Sequence, residues 1–360
     1  MNQDEKLSKV LGITEFALYR KESLPDIISY QYYEKYVQGI SKQVNDPKLI
    51  GHALVRSMNF KYVSGFELNG KSFIDDESDY IWLEEGVIIK TYNMFSEMLI
   101  HNTFPEYFSG DVEIANMHLR LTDSEGIMEF ETTYRTALEE NRKIIAEYLS
   151  MFATKFVILH EMAHHYNGHL LYLKKNLKIS KLEINCETLS VNPLLIQTLE
   201  MDADAFAISQ LTREMVEIIN NDTLIKQVVR NESEMIGLLI YSLQCLFNMI
   251  SNSKNNNFEN LLQNKYLPCS MRHYNNIECL KENLRVQANH IFQKIDFENI
   301  SIAYMLRAEN GFMKIFDKQT NWKSNALNTI KNIGHLNIIR NNWKSIYNDL
   351  NVYSRCNLSK

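Results

Sequence analysis

Two histidines and a glutamate near the middle of this 360-residue chain have the spacing of a metal-binding catalytic helix. They stand in "VILHEMAHHYNGH", residues 157–169, where His160 and His164 form the motif HExxH. Residues four positions apart on an α-helix lie on one face, so both imidazoles can bind one ion. Glu161, beside the first ligand, can act as general base toward a water molecule at that ion. The apolar residues 156–159 favour a helix that is buried on its rear face.

A catalytic zinc ion normally has three protein ligands and one open position, so the two histidines need a partner. The segment "LEMDADAFAISQL", residues 199–211, offers Glu200 and Asp204 on one helix face. Glu200 is predicted to be the third ligand of Zn²⁺, and Asp204 to hydrogen-bond a ligand histidine and fix its tautomer. Asp202 lies about 160° from Asp204 around the helix, so we expect it to point elsewhere.

These residue types fit the hydrolysis of a peptide bond. Zinc polarises the carbonyl, while Glu161 takes a proton from water and later gives it to the leaving amine. The developing oxyanion needs a further donor, for which His169, Tyr166 and a residue from the distal regions all stay open. His169 can turn back toward the metal if Gly168 ends the helix, so it is a candidate support for a ligand, beside a structural role. His165 is about 100° off the ligand face and is predicted to pack or to face solvent.

The surrounding pattern predicts a mainly α (α+β) fold: a zincin-like catalytic core with a small sheet and helical N- and C-terminal regions. Residues 132–166 contain no Gly or Pro, which predicts one long helix or two in succession. Residues 111–122 alternate apolar and polar side chains and are the best strand candidate. Further helices are expected at 87–100, 194–219 and 232–250.

Four regions are predicted along the chain. Residues 1–130 form a mixed helix and strand region that packs on the catalytic core, and residues 131–250 form the zinc-peptidase core. "SNSKNNN", residues 251–257, is the clearest linker. Residues 258–360 form a helical C-terminal region.

Composition narrows the partners and the compartment. The net charge of −6 provides no field for nucleic acid, so none is expected as a partner. The N-terminus lacks a secretory signal pattern, and five scattered cysteines without a CxxC pair favour a reducing cytoplasm. Residues 235–250 are apolar but too short and too interrupted for a membrane span, which predicts a buried core helix and no transmembrane segment.

HExxH followed by ExxxD resembles the gluzincin class of zinc metallopeptidases, in which both histidines and the first glutamate of ExxxD bind the metal. The fuller form "HEMAHHYNGH…EMDADAFA" resembles, over residues 156–211, the Lit-type phage-exclusion peptidases of bacteria. That resemblance implies a cytoplasmic protease of antiviral defence, quiet until a phage-derived protein or peptide activates it. It also implies a protein substrate, the host translation factor elongation factor Tu.

Three alternatives stay open from the sequence. The motif pair also resembles the ImmA/IrrE-type regulatory metallopeptidases, which cleave repressors, although those usually have Gly at the position of Ala163 and Asn at that of Asp204. A non-catalytic binding module could keep zinc for structure alone, with His169 as a fourth ligand. A metal-free helical interaction protein is the third.

Overall fold

The computed structural model describes residues 30–44, 56–63, 65, 67–104, 108, 111–122, 129–178, 181–183, 192–253, 258–316, 321–356 and 358. The elements before residue 180 are α1 (Tyr30–Val44), β1 (Ser57–Val63), β2 (Gly70–Ile74), β3 (Ser78–Glu84), α2 (Glu85–Ile100), β4 (Ile114–Thr122), β5 (Glu129–Ala137), α3 (Glu140–Tyr166) and α4 (His169–Leu177). Those after it are β6 (Lys181–Glu183), α5 (Pro193–Asn221), a 3-10 turn (Ile225–Gln227), α6 (Glu232–Ser253), α7 (Cys269–Gln287), α8 (Asn289–Phe292), α9 (Phe297–Phe316), α10 (Trp322–Lys331) and α11 (Ile333–Asn351). The predicted mainly α (α+β) class is confirmed.

A four-stranded sheet packs on α3. Its strand order is β1-β3-β2-β6, with β1 parallel to β3, and β2 antiparallel to both of its neighbours. The β2–β3 connection is tight because the Asp75 carboxylate accepts hydrogen bonds from the backbone N–H groups of Glu77 and Ser78. Strand β2 lies against α3, where Ser72 Oγ donates a 2.8 Å hydrogen bond to the backbone carbonyl of Glu161.

Helix α3 runs through the hydrophobic core and packs on α2, α5 and α6. Apolar side chains cover several of its faces, and Leu149, Phe152 and Ile158 are fully buried. Each such side chain stabilises the fold by about 1.5–3 kcal/mol. Helix α6 contains a window, Glu232–Ser251, whose length and composition would suit a membrane span, yet 72% of it is buried inside the protein. It packs as the core helix that the sequence predicts.

The prediction of helix from residue 132 onward is wrong at its start. Residues 129–137 form β5, which pairs antiparallel with β4 so that Thr133 lies opposite His118. Threonine and tyrosine favour a pleated strand, and a neighbouring strand is available, so the absence of Gly and Pro was not decisive. Gly168 separates α3 from α4 with a φ of 81°, as predicted for a helix stop.

The described residues give a mixed account of the predicted regions. Strand β5 crosses the boundary placed at residue 130, and one hydrophobic cluster joins side chains from all three large regions. Residues 251–253 of the predicted linker continue α6, and residues 254–257 lie outside the described residues. The division into domains stays a prediction.

Candidate metal centre

Helix α3 presents His160 and His164 on one face, and both side chains are buried. Their Nε2 atoms lie 3.3 Å apart. Glu200 of α5 faces them: its Oε2 is 3.3 Å from Nε2 of His160, and its Oε1 is 3.5 Å from Nε2 of His164. These three side chains, which the sequence singles out as ligands, could together hold one metal ion.

The start of helix α5 and its small side chains explain how it can approach α3 closely and complete this cluster. The Asn192 side chain accepts a hydrogen bond from the backbone N–H of Leu194, and Pro193 supplies the fixed φ of a first helical turn. Ala203 and Ala207 are fully buried, and their small side chains let α5 pack near its neighbours.

The electrostatics of the cluster favour a bound cation. Burial alone would protonate the carboxylates, but contacts with His160 and Arg272 outweigh it and lower the pKa of Glu200 and of Asp204 to about 2. Burial lowers the pKa of His164 well below its usual value, so this imidazole is neutral. Burial also opposes a charge on His160, yet hydrogen bonds to Asp204 and Glu200 raise its pKa to about 10. The two buried carboxylates and Arg272 leave one net negative charge, which the second proton of His160 balances. A bound cation can replace that proton, because metal binding requires a neutral imidazole ligand.

Asp204 holds the first histidine from behind. Its Oδ1 lies 2.8 Å from Nδ1 of His160, and Arg272 of α7 donates to both of its oxygens, from Nε at 2.9 Å and Nη2 at 2.7 Å. A carboxylate can only accept, so Nδ1 of His160 is protonated, and whenever the ring is neutral its Nε2 lone pair is directed toward Glu200 and His164. This is the contact predicted for Asp204, and Arg272 extends it.

His169 holds the second histidine in a similar way. Its Nδ1 lies 3.0 Å from Nδ1 of His164, and its Nε2 lies 3.0 Å from Oδ2 of Asp202. Because Asp202 accepts the Nε2 proton, Nδ1 of a neutral His169 accepts the proton of His164. The Nε2 atom of His164 is then free to bind a metal. Asp202 does point away from the ligand face, as expected, but it reaches the site through His169.

Glu161 lies beside the ligands and under β2. Ser72 Oγ contacts Glu161 Oε2 at 2.5 Å, whereas Oε1 is buried without a hydrogen-bond partner among the described residues. Burial raises the pKa of Glu161 to about 7, against the lowering influence of His160 and Ser72. Gly70 leaves the space that this side chain needs, since a Cβ there would stand 3.0 Å from Glu161 Cγ. A carboxyl of this kind is suited to accept and return a proton.

A second buried cluster, around Asp79, holds the C-terminal end of α3. His165 is buried against it: Nε2 lies 3.1 Å from the backbone carbonyl of Tyr80, and Nδ1 lies 3.6 Å from the Asp79 carboxylate. Arg56 and Arg355 pair with the same carboxylate. Burial opposes ionisation, but His165 and the two arginines outweigh it and lower the pKa of Asp79. Of the two alternatives for His165, packing is the one observed.

Residues 353–355 close over this end of the helix. The backbone N–H of Arg355 donates a 2.7 Å hydrogen bond to the carbonyl of Tyr166, and Ser354 Oγ donates to the same oxygen at 3.2 Å. A Cβ on Gly168 would stand 2.6 Å from the backbone of Tyr353. Glycine at 168 is therefore required both by its positive φ and by this close approach.

Four contributors escape the sequence reasoning: Ser72, Asp202, Arg272 and Arg355. Ser72, Arg272 and Arg355 are remote in sequence from the residues that they contact, and no helical or strand periodicity in the sequence indicates them. Asp202 lies on α5, but its position off the face of Glu200 and Asp204 gives no indication that it contacts His169.

Comparison with known protein families supports the class of peptidases. The family model described as Peptidase U49 matches residues 128–284, somewhat less than half of the chain. The match spans α3, α5 and α7 almost entirely, and so contains both histidines, Glu161, Glu200, Asp204 and Arg272. No curated protein and no solved structure matches the chain.

Proposed function

We propose that this protein is a zinc-dependent endopeptidase. The observation that carries the proposal is the spacing of the three ligand side chains. Tetrahedral ligands about 2.0–2.1 Å from zinc stand roughly 3.3–3.4 Å from one another. The two Nε2 atoms here are 3.3 Å apart, and each lies close to one oxygen of the Glu200 carboxylate, His160 at 3.3 Å from Oε2 and His164 at 3.5 Å from Oε1. Three protein ligands leave one position open, which is the pattern of a catalytic rather than a structural site.

The chain's own residues account for the proton transfers. Zinc, when bound, supplies Lewis acidity toward water and the scissile carbonyl. Glu161 accepts the proton of the attacking water and returns it to the departing amine, while Ser72 orients one carboxylate oxygen. Asp204 and His169 keep the ligand imidazoles in the tautomer that binds metal.

Both ring nitrogens of His169 are engaged, one by His164 and one by Asp202. His169 therefore supports a ligand, and we do not assign it to the oxyanion. This also weighs against the alternative of a structural zinc site, because His169 approaches the rear of His164 and not the side that faces Glu200. An ImmA/IrrE-like peptidase that cleaves a repressor remains the catalytic alternative.

The biological setting rests on the resemblance to Lit-type peptidases. We infer a cytoplasmic protease of phage defence that a phage-derived protein or peptide activates and that cleaves a translation factor such as elongation factor Tu. The match to Peptidase U49 supports the peptidase class on which this inference depends.

Co-expression of the full chain with individual phage proteins in a bacterial host, followed by a proteome-wide search for new protein N-termini, tests the proposal. We expect one dominant new terminus with one phage protein, and none with Glu161→Gln, which should still contain one zinc ion per chain. New termini that appear equally with Glu161→Gln would refute peptidase action at this site. A Glu161→Gln protein that has lost zinc would refute the assignment of Glu161 as base.

A further inference from the structure

Helices α6, α7, α9 and α10 enclose a cavity of about 350 Å³. Its described lining shares no residue with the candidate metal centre. Much of that lining is apolar or aromatic, including Phe247, Tyr274, Ile277, Met305 and Trp322. Small-molecule sites in proteins have volumes of roughly 300–1,000 Å³ and mostly apolar walls. The cavity therefore has the size and the wall of a small-molecule site.

One buried carboxylate in this wall has an unused oxygen. Glu309 is 2% exposed, and its Oε1 accepts hydrogen bonds from Gln244 Nε2 at 2.5 Å and Asn248 Nδ2 at 2.7 Å. Its Oε2 is buried without a hydrogen-bond partner in the described part of the chain. A buried acceptor left unpaired costs about 1–3 kcal/mol, so a ligand donor that reached this oxygen would be stabilised there.

A buried imidazole in the same wall is also unpartnered. His273 is 5% exposed, and neither ring nitrogen has a hydrogen-bond partner within the described ranges. Burial lowers the pKa of His273 to about 4, so the ring is neutral and offers one donor and one acceptor. Its ring centroid lies 5.4 Å from that of Phe247, which places it against the aromatic wall.

The charged residues of the lining favour a ligand with a positive charge. Glu278, Glu298 and Glu309 line the cavity, and none of the described lining residues is Lys or Arg. Glu298 also pairs with Lys281 at 2.5 Å, so the acidic character rests mainly on the other two carboxylates. Aromatic faces add attraction for a cation within about 6 Å. An anionic ligand would meet carboxylates without a compensating base.

We propose that this cavity binds a small organic cation, namely an apolar body that carries a protonated amine. The ammonium group donates to Glu309 Oε2, and the apolar body packs among the aromatic side chains. The site is independent of the peptidase reaction. It does abut the metal centre's support, because Phe247 lines the cavity and its ring centroid lies 5.6 Å from the guanidinium carbon of Arg272.

Isothermal titration calorimetry of the full chain with 4-phenylbutylamine, 4-phenylbutanol and 4-phenylbutyrate tests the sign and the head group. The three probes share one apolar body. We expect the amine to bind with a Kd on the order of 1 mM or tighter. The alcohol should bind about 10- to 100-fold more weakly, because a charged hydrogen bond is lost, and the acid should not bind. Equal affinities for all three probes would overturn the proposal.

Variants locate the site. Glu309→Gln should reduce amine affinity at least about tenfold, whereas Glu282→Gln, the same change on the exposed face of α7, should leave it unchanged. Ile302→Trp is the second variant, because Ile302 lines the cavity yet is 53% exposed, so a larger side chain blocks the space without entering the core. Undiminished amine binding by Ile302→Trp and by a folded Glu309→Gln protein contradicts the proposal.

A chelator arm separates this site from the metal centre, where an amine could also bind. Amine affinity should be the same before and after dialysis against EDTA, whether or not the protein proves to be a peptidase. Loss of binding with EDTA would mean that the amine binds to a metal ion and not in the cavity, which overturns the proposal.

Discussion

Replacement of Asp204 by Asn should weaken zinc binding while the fold is kept. Asp204 accepts from His160 at 2.8 Å and from Arg272 at 2.7 and 2.9 Å, and all three side chains are buried. Asparagine has the same shape but one acceptor oxygen fewer, so its NH₂ group must face a donor. Removal of a carboxylate behind a ligand histidine typically lowers metal affinity 10- to 100-fold, or about 1.4–2.7 kcal/mol. We expect a loss in that range for Asp204→Asn.

Competition with a chromophoric zinc chelator at fixed pH measures the loss. Asp202→Asn is the matched control, since it makes the same change two residues away on the same helix. Asp202 contacts Asn167 and His169, and its side chain is 16% exposed, so water can replace part of what it provides. Its effect should stay within about fivefold, which corresponds to an ordinary hydrogen bond of about 1 kcal/mol.

Two results would refute this reasoning. One is an Asp204→Asn protein that binds zinc as tightly as the parent, and the other is an equal loss in Asp202→Asn. A further check combines Asp204→Asn with Arg272→Met. The guanidinium acts through the same carboxylate, so the double variant should lose less than the sum of the single losses. Strict additivity would mean that Arg272 does not act through Asp204.

Three further predictions concern the proposed base Glu161, the cavity, and the C-terminal end of α3. Gly70→Ala should lower peptidase kcat at least about tenfold with zinc content unchanged, because the added Cβ would displace Glu161 and even a small misplacement of a catalytic group is costly. Gly39→Ala is the control, since a Cβ there meets nothing within 4 Å, and it should have no effect. For His273, the unfolded chain binds a proton below pH 6.5 but the folded chain only below a pKa of about 4, so stability falls as the pH falls through that window. The loss approaches about 3 kcal/mol, and chemical denaturation at pH 7 and pH 4.5 should show it reduced in His273→Phe. Arg355→Met should lower the free energy of unfolding by about 3–5 kcal/mol, as expected when a buried pair is broken; Arg285→Met, at an exposed i,i+3 pair, should change it by less than about 1 kcal/mol.

The clustering of the candidate ligands could be predicted because helix geometry is local. His160 and His164 are separated by one turn, as are Glu200 and Asp204, and each pair shares a face wherever its helix lies. The prediction needed only that the two helices meet, which the small residues of the second helix favoured. The orientation of His169 depended on where the first helix ends, and Gly168 indicated that point.

The remaining contacts could not be predicted because they join distant parts of the chain. Ser72 is 89 positions from Glu161, and Arg272 is 68 positions from Asp204. The spacing of a single arginine or serine in the sequence does not indicate which distant residue it will contact. The misassigned start of the long helix has a related cause, because β5 is a strand only by virtue of its pairing with β4.

The closure of the helix end by Ser354, Arg355 and Cys356 also has a consequence for timing during synthesis. These residues follow Tyr166, whose carbonyl they contact, by 188 to 190 positions. At about 5–20 residues per second, the ribosome needs roughly 10–40 s to add that length after the histidines have been made. Throughout that interval the helix that carries them lacks the hydrogen bonds that Ser354 and Arg355 donate to the Tyr166 carbonyl. A nascent chain therefore carries the candidate ligand histidines for that interval before this end of their helix is closed.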